Sequence, residues 1–193
     1  SPSYWLDEKV LKKTSKYFTD LGYNIILGPS NFLRCGPFAG TPQDRAEDIH
    51  EMFKNPKIDA IICARGGYGA NKVLPLLDYE LIKDNPKIFL GYSDITAFLL
   101  SISQKAELIT FHGPMLSSFK KNFIDYNYHH MLQVLQLKNE RKIFSSRTSP
   151  FKVLKSGIGR GRIWGGNITL LINRLGTSNA LSTENIILFL EDV

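Results

Sequence analysis

The chain has 193 residues, 43% hydrophobic and 22% charged, enough apolar material for one large domain or a domain and part of another. Its net charge of +6 comes from Lys and Arg scattered along the sequence, without the block of like charges that marks a nucleic-acid-binding tail. Its apolar runs fall far short of the ~20 residues that span a bilayer. The N-terminus carries no signal core, and Cys35 and Cys63 sit in settings too different for a disulfide framework, so a cytoplasmic protein without a membrane partner is expected.

In chain order, Leu6, Val10, Tyr17 and Leu21 recur at helical spacing, with Ser3 as the expected N-cap and Gly22 as the stop. "YNIIL" reads as a strand closed by Gly28-Pro29. In "GTPQDRAEDIHEMFKN", Thr41 caps a helix with Pro42 at its first position. "KIDAIIC" is a continuous apolar run and predicts a strand buried on both faces. A glycine-rich turn, a helical "ANKVLPLLD", the strand "KIFL" and the helix "DITAFLLSISQK" follow. After them come the strand "ELITF" and the helix "YNYHHMLQVLQL". This alternation predicts an α/β fold with a parallel sheet and helices on both faces, over residues 1–137.

From about Lys138 the rhythm stops. Residues 138–160 are polar, basic and glycine-rich and read as a linker. Residues 161–193 then begin a second unit with the helix-like "NITLLINRLGT" and the strand "NIILFLEDV".

Ligands in such sheets gather at the carboxyl ends of the strands, and three loops fall there: "RGGYG", "GYSD" and "HGP". "GYSD" sits on a strand–turn–helix, the setting of a nucleophile elbow that lifts a serine hydroxyl clear of the sheet. Gly91 permits the tight backbone. The alternative is that Ser93 or Asp94 merely caps the following helix. In "RGGYG", Arg65–Gly69, consecutive glycines turn N–H groups toward an anion or oxyanion, or form an ordinary βα turn. The spacing fits neither a dinucleotide nor a P-loop motif. His112 ends a strand and reads as structural; His50, His129 and His130 fall within helices, and no spacing resembles a metal site. Trp164 either packs or stacks on a ligand. Asn167 is placed to cap the helix from Ile168. Glu191, at a strand end, either orients a base or lies on the surface.

In order, "ARGGYGANKVLPLLD", "FLGYSDITAFLL", "TFHGPM", "GRIWGGNITLLINRLGT" and "IILFLEDV" resemble the LD-carboxypeptidase family of serine peptidases along nearly the whole chain. That family includes murein tetrapeptide carboxypeptidases and microcin C self-immunity peptidases. The resemblance implies a flavodoxin- or Rossmann-like domain joined to a β-rich C-terminal domain, with a Ser-Glu-His triad. Ser93 matches the nucleophile, and the N–H groups of Asp94 and Gly67 match the oxyanion hole. Glu191 matches the acid that orients the histidine, and Asn167 stands as a candidate substrate contact. It also implies a small peptide substrate, no cofactor or metal, and a homodimer. The alternatives are a microcin-type immunity peptidase, which cleaves a peptidyl- or aminoacyl-nucleotide amide, and a non-catalytic binding module.

One departure stands out. The family's histidine follows its glutamate, whereas all four histidines here precede Glu191. The chain alone is therefore expected to lack its general base and to be nearly inactive. It also opens on a helix and stops beside Glu191, which reads as truncation at both ends.

Overall fold

The structure, a computed structural model, describes residues 1–119, 125–136, 152–177, 179–180 and 184–192. Its first helix, α1 (Glu8–Asp20), starts later than Ser3 would place it. The carboxylate of Asp7 accepts from the N–H groups of Lys9 and Val10, at 2.8 and 3.4 Å, and takes the capping role. Residues before it are drawn into extended contact with the 35–39 loop, where Tyr4 bridges Phe38 and the Ala39 N–H donates to the Ser3 carbonyl. Leu11, Thr14 and Phe18 form the buried stripe of α1.

Helix α2 (Pro42–Lys54) begins as the sequence predicts. Thr41 and Asp44 form a reciprocal capping box and Pro42 opens the first turn. Strand β1 (Ala60–Ile62) follows, then two short 3₁₀ turns, Ala70–Lys72 and Leu74–Leu76, where one helix was expected. Pro75 lacks the N–H that a continuous α-helix there requires. Helix α3 (Tyr79–Asp84), which the sequence reading left out, is capped by Asp78 accepting from the Leu81 N–H. Strand β2 (Ile88–Gly91) leads through one 3₁₀ turn into α4 (Thr96–Lys105). Of the expected strand "ELITF" only its end pairs, giving β3 (Phe111–His112). Before it Glu107 adopts a left-handed φ of 59°, and the Thr110 hydroxyl donates to the Leu99 carbonyl, which ties this stretch to α4. Helix α5 (Asp125–Leu135) closes the first part.

The sheet is parallel and runs β1-β2-β3, with Ile61 opposite Phe89 and Leu90 opposite Phe111. Side-chain alternation along β2 divides the core between its two faces. Phe89 joins the Phe53 and Phe98 rings, at centroid distances of 6.0 and 6.3 Å, beneath α2 and α4. Leu90 points the other way, toward Phe18, Tyr128 and Met131 of α1 and α5. β1 divides its contacts likewise, through Ile61 and Ile62, yet both remain only partly buried, short of the burial predicted for it. The segment 23–27, expected as a strand, runs without helix or strand assignment and joins no ladder among the described residues.

A second parallel pair is formed by β4 (Arg162–Asn167) and β5 (Ile186–Glu191), connected through α6 (Ile168–Ile172). α4 lies between the two sheets and is buried from Thr96 through Ile102, as a helix packed between layers must be. Of the expected linker, residues 138–151 lie outside the described ones, and 152–160 carry no helix or strand.

Candidate active site

Ser93 follows β2 after an extended Tyr92, and its φ is 60°, a left-handed conformation that costs a non-glycine residue about 1–3 kcal/mol. The capping alternative fails here, because neither the 3₁₀ turn nor α4 receives a side-chain cap bond. The turn instead leaves Ser93 facing the "RGGYG" loop. A Cβ on Gly66 would stand 3.1 Å from Ser93 Cβ and 3.2 Å from its Oγ, so a side chain there would crowd the hydroxyl. Gly67 has φ 142° and lies against the Tyr4 ring, where a Cβ would come within 2.4 Å.

Asp94 is buried, and its carboxylate turns away from the helix to accept from the Ser3 hydroxyl and from the Ala70 N–H, the latter at 3.0 Å. Burial pushes its pKa up; those two bonds and the charge of Arg45 pull against the rise. This carboxylate therefore fastens the N-terminal loop and the glycine loop to the elbow. Arg45 of α2 reinforces the same junction. It is almost fully buried, donates to the carbonyls of Thr41, Pro2 and Gly69 at 3.2, 3.0 and 3.4 Å, and lies over the Phe38 ring. The sequence reading missed both Ser3 and Arg45 here. The capping preference of Asp7 was the local signal that Ser3 was free for another partner, whereas the destination of Arg45 has no local signal.

The other predicted residues gather at the end of the β4–β5 pair. Asn167 lies in register with Glu191. Its Oδ1 accepts from the Leu170 N–H at 3.4 Å, the expected cap of α6, while Nδ2 is 3.4 Å from both Glu191 Oε2 and Asp192 Oδ1. The Asn167 N–H donates to Thr96 Oγ1 at 3.1 Å, which joins this corner to α4 three residues after Ser93. Gly166, with φ 141°, lets the backbone approach that closely, since a Cβ there would come 2.6 Å from the Thr96 methyl.

Glu191 is only partly exposed, and its Oε2 lies 4.0 Å from His112 Nε2. His112 also meets the Phe189 ring edge-on, at 5.0 Å between centroids. Burial lowers its pKa, against the upward pull of Glu191. This pairing was missed because β3 and β5 are distant in sequence.

Tyr92, His112, Arg65 and Trp5 also line an open cleft of about 1170 Å³ at the carboxyl ends of the strands. His50, read as a helix residue away from chemistry, uses Nε2 to accept from the Asp78 N–H at 2.9 Å and links α2 to α3. Cys63 is a buried free thiol, its pKa pushed up to about 12 by burial, and Cys35 is free and exposed. Among the described residues no helix is long and apolar enough to cross a membrane.

Comparison with known proteins places this geometry. A probable murein peptide carboxypeptidase of Bacillus subtilis is 36% identical over 97% of this chain and 59% of its own length. The microcin C7 self-immunity protein MccF of Escherichia coli is 34% identical over 86% of this chain and 55% of its own. The crystal structure of an MccF-like protein from Bacillus anthracis superposes with a TM-score of 0.86 at 30% identity, over 98% of this chain and 64% of that one. The chain thus spans less than two thirds of the length of each of these relatives. Residues 1–113 match the LD-carboxypeptidase N-terminal domain and residues 160–193 the LD-carboxypeptidase C-terminal domain, so the chain belongs to the LD-carboxypeptidase family.

Proposed function

We propose that the protein is a serine carboxypeptidase that hydrolyses the amide between an L- and a D-amino acid centre in murein peptides. The observation that carries this reading is Ser93: a strained, uncapped serine at the end of a buried strand, held against a glycine loop. In this reading Ser93 Oγ attacks the scissile carbonyl as a histidine base takes its proton. The N–H groups of Asp94 and Gly67 hold the oxyanion, and Glu191 fixes the tautomer of that base and stabilises its charged form. Collapse of the tetrahedral adduct protonates and expels the D-amino acid amine and leaves an acyl-serine, which water hydrolyses. Asn167, with its amide group beside Glu191, is proposed as a substrate contact at the same end of the fold.

Residues 1–137 would supply the nucleophile and oxyanion donors, 138–160 the connection, and 161–193 the opening of the domain that brings Glu191. The base is not assigned to any histidine of this sequence, because the family order places it after the glutamate. The protein at the full length of its relatives is therefore the one to assay, against a tetrapeptide with L-Lys or diaminopimelate before D-Ala. Ser93→Ala is expected to reduce turnover by about 10⁴-fold or more. Equal turnover in the two forms removes Ser93 from the nucleophile role. Similarity to microcin self-immunity proteins favours a second reading, cleavage of an aminoacyl-nucleotide amide by the same serine. Hydrolysis of that amide with the tetrapeptide left intact selects it.

A further inference from the structure

The glycine loop beside Ser93 also carries a cation that has no part in the acyl transfer described above. Arg65 directly precedes Gly66, whose backbone packs on Ser93, and stands two residues before Gly67. Its stem is anchored: the Leu116 and Ser117 N–H groups donate to the carbonyls of Cys63 and Ala64 at 3.2 and 2.9 Å. From there the exposed Arg65 side chain lines the cleft at the carboxyl ends of the strands. Tyr92, the residue before Ser93, lines the same cleft. The nucleophile and the glycine that packs on it are thus each one residue away from its wall.

The guanidinium is oriented but not neutralised. Its Nη1 donates to the Trp5 carbonyl at 3.4 Å, and its Cζ lies 5.6 Å from the centroid of the Tyr4 ring. Gly67 rests against that same ring, so one aromatic side chain adjoins both the charge and the proposed oxyanion donor. Residues 4 and 5 are held in turn through Ser3, whose hydroxyl donates to Asp94. Among the described residues no carboxylate pairs with Arg65, and no other Lys or Arg lines the cleft. Asp7, the acid of that lining, is engaged as the cap of α1. His112 adds no competing cation at neutral pH, since burial lowers its pKa. One bond to a carbonyl leaves most of the guanidinium donors unused, in the planar fork that fits a carboxylate.

When the last amide of a peptide is cut, the terminal carboxylate lies about 4 Å from the scissile carbonyl carbon, one residue away. A group that grips it must therefore adjoin the oxyanion hole, and Arg65 shares a loop with it. We propose that Arg65 is the substrate-binding residue that reads the chain end: its guanidinium takes the C-terminal carboxylate of the peptide while Ser93 attacks the amide before it. An interior amide brings no anion to this position and is left uncut. The inference rests on the peptidase reading and adds to it the residue that makes the cleavage terminal.

The test uses the protein at the full length of its relatives and two peptides, a tetrapeptide ending in L-Lys-D-Ala and the same peptide ending in D-alaninamide. The readout is the ratio of kcat/KM for acid over amide, which does not depend on how much of each variant is folded. With Arg65 intact the acid is expected to lead by about 10- to 100-fold, the range of a charge-assisted hydrogen bond. Arg65→Met should bring the ratio close to one by slowing the acid alone, and Arg65→Lys should restore part of it. In a Ser93→Ala background, calorimetry should show the same preference, and its loss in Arg65→Met, as binding. A ratio near one with Arg65 intact overturns the proposal. So does an Arg65→Met form that slows both peptides equally, because Arg65 then serves only to hold Tyr4 and Trp5. If the forms with Arg65 intact neither bind nor cut either peptide, the peptidase reading fails and this inference falls with it. If both peptides are cut with a preference that Arg65→Met leaves unchanged, the inference alone fails.

Discussion

At the scale of single residues, the candidate site is made by side chains whose local roles were displaced by distant partners. Asp94 is placed by sequence to cap a helix, yet its carboxylate serves Ser3 and Ala70, and the turn it leaves uncapped is where Ser93 sits. His112 faces Glu191 across two strands, partly buried beside Phe189 and Tyr92. Burial holds its pKa below the ordinary value and Glu191 pulls it back up. Glu191→Gln should therefore make His112 titrate lower still, observed through its ring resonances by NMR; an unchanged or higher midpoint separates the two groups. Between the depressed pKa and the ordinary value of about 6.5 the unfolded chain binds more protons than the folded one. The contribution of His112 to stability is thus present above the ordinary value and lost as pH falls through the depressed one. The residue types in "GYSD" and "FLED" were legible in sequence, but the His112–Glu191 contact was not, because nothing local records which strand ends meet.

At the scale of elements, legibility followed the range of the interactions that start and stop each one. Helix α2 was read correctly because its signals, Thr41, Pro42 and Asp44, act within one turn. Thr41→Ala removes the hydroxyl that accepts from the Asp44 N–H, leaving only the Thr41 N–H to Asp44 half of that box, and is expected to cost about 1 kcal/mol, measured as a lower urea midpoint with an unchanged m-value. A full-size loss from Thr41→Ser would instead assign the effect to the methyl group, since serine preserves the cap. The run 23–27 was misread for the opposite reason. Its composition is that of a strand, but a strand exists only where a neighbour supplies the other half of its ladder, and none of the described strands lies against it. β1 shows the same dependence, its apolar run half-buried beside an unpaired edge.

At the scale of the whole molecule, α4 is the shared wall between the sheet that presents Ser93 and the pair that ends in Glu191. Arg174, buried just after α6, fastens this joint by donating to the Ala97 carbonyl, Ser101 Oγ and Gln104 Oε1 at 3.3, 2.9 and 3.2 Å. Burial lowers its pKa, a sign of how little water reaches it. Arg174→Met would remove those donors, leaving the buried Ser101 hydroxyl without this partner, and is expected to cost about 1–3 kcal/mol, lowering the thermal midpoint by several degrees. Because the joint and not the sheet is weakened, amide exchange should accelerate first in β4 and β5. Uniform acceleration across β2 as well would mean that the two parts unfold as one unit.

The amino-acid sequence by itself determined the alternation of β and α elements, the capped helix α2, and the ordered loops that carry Ser93, Gly67, Asn167 and Glu191. Each of these rests on residue type and on interactions a few positions long. Only the tertiary structure decided that Asp94 binds Ser3 instead of capping a helix, that Arg45 ties two loops together, and that His112 stands against Glu191. It also decided that residues 23–27 have no partner strand among the described residues. Those outcomes depend on which groups meet once two sheets pack on α4, and burial makes each partner obligatory: a desolvated carboxylate, guanidinium or backbone amide must find a complementary group wherever the fold brings one.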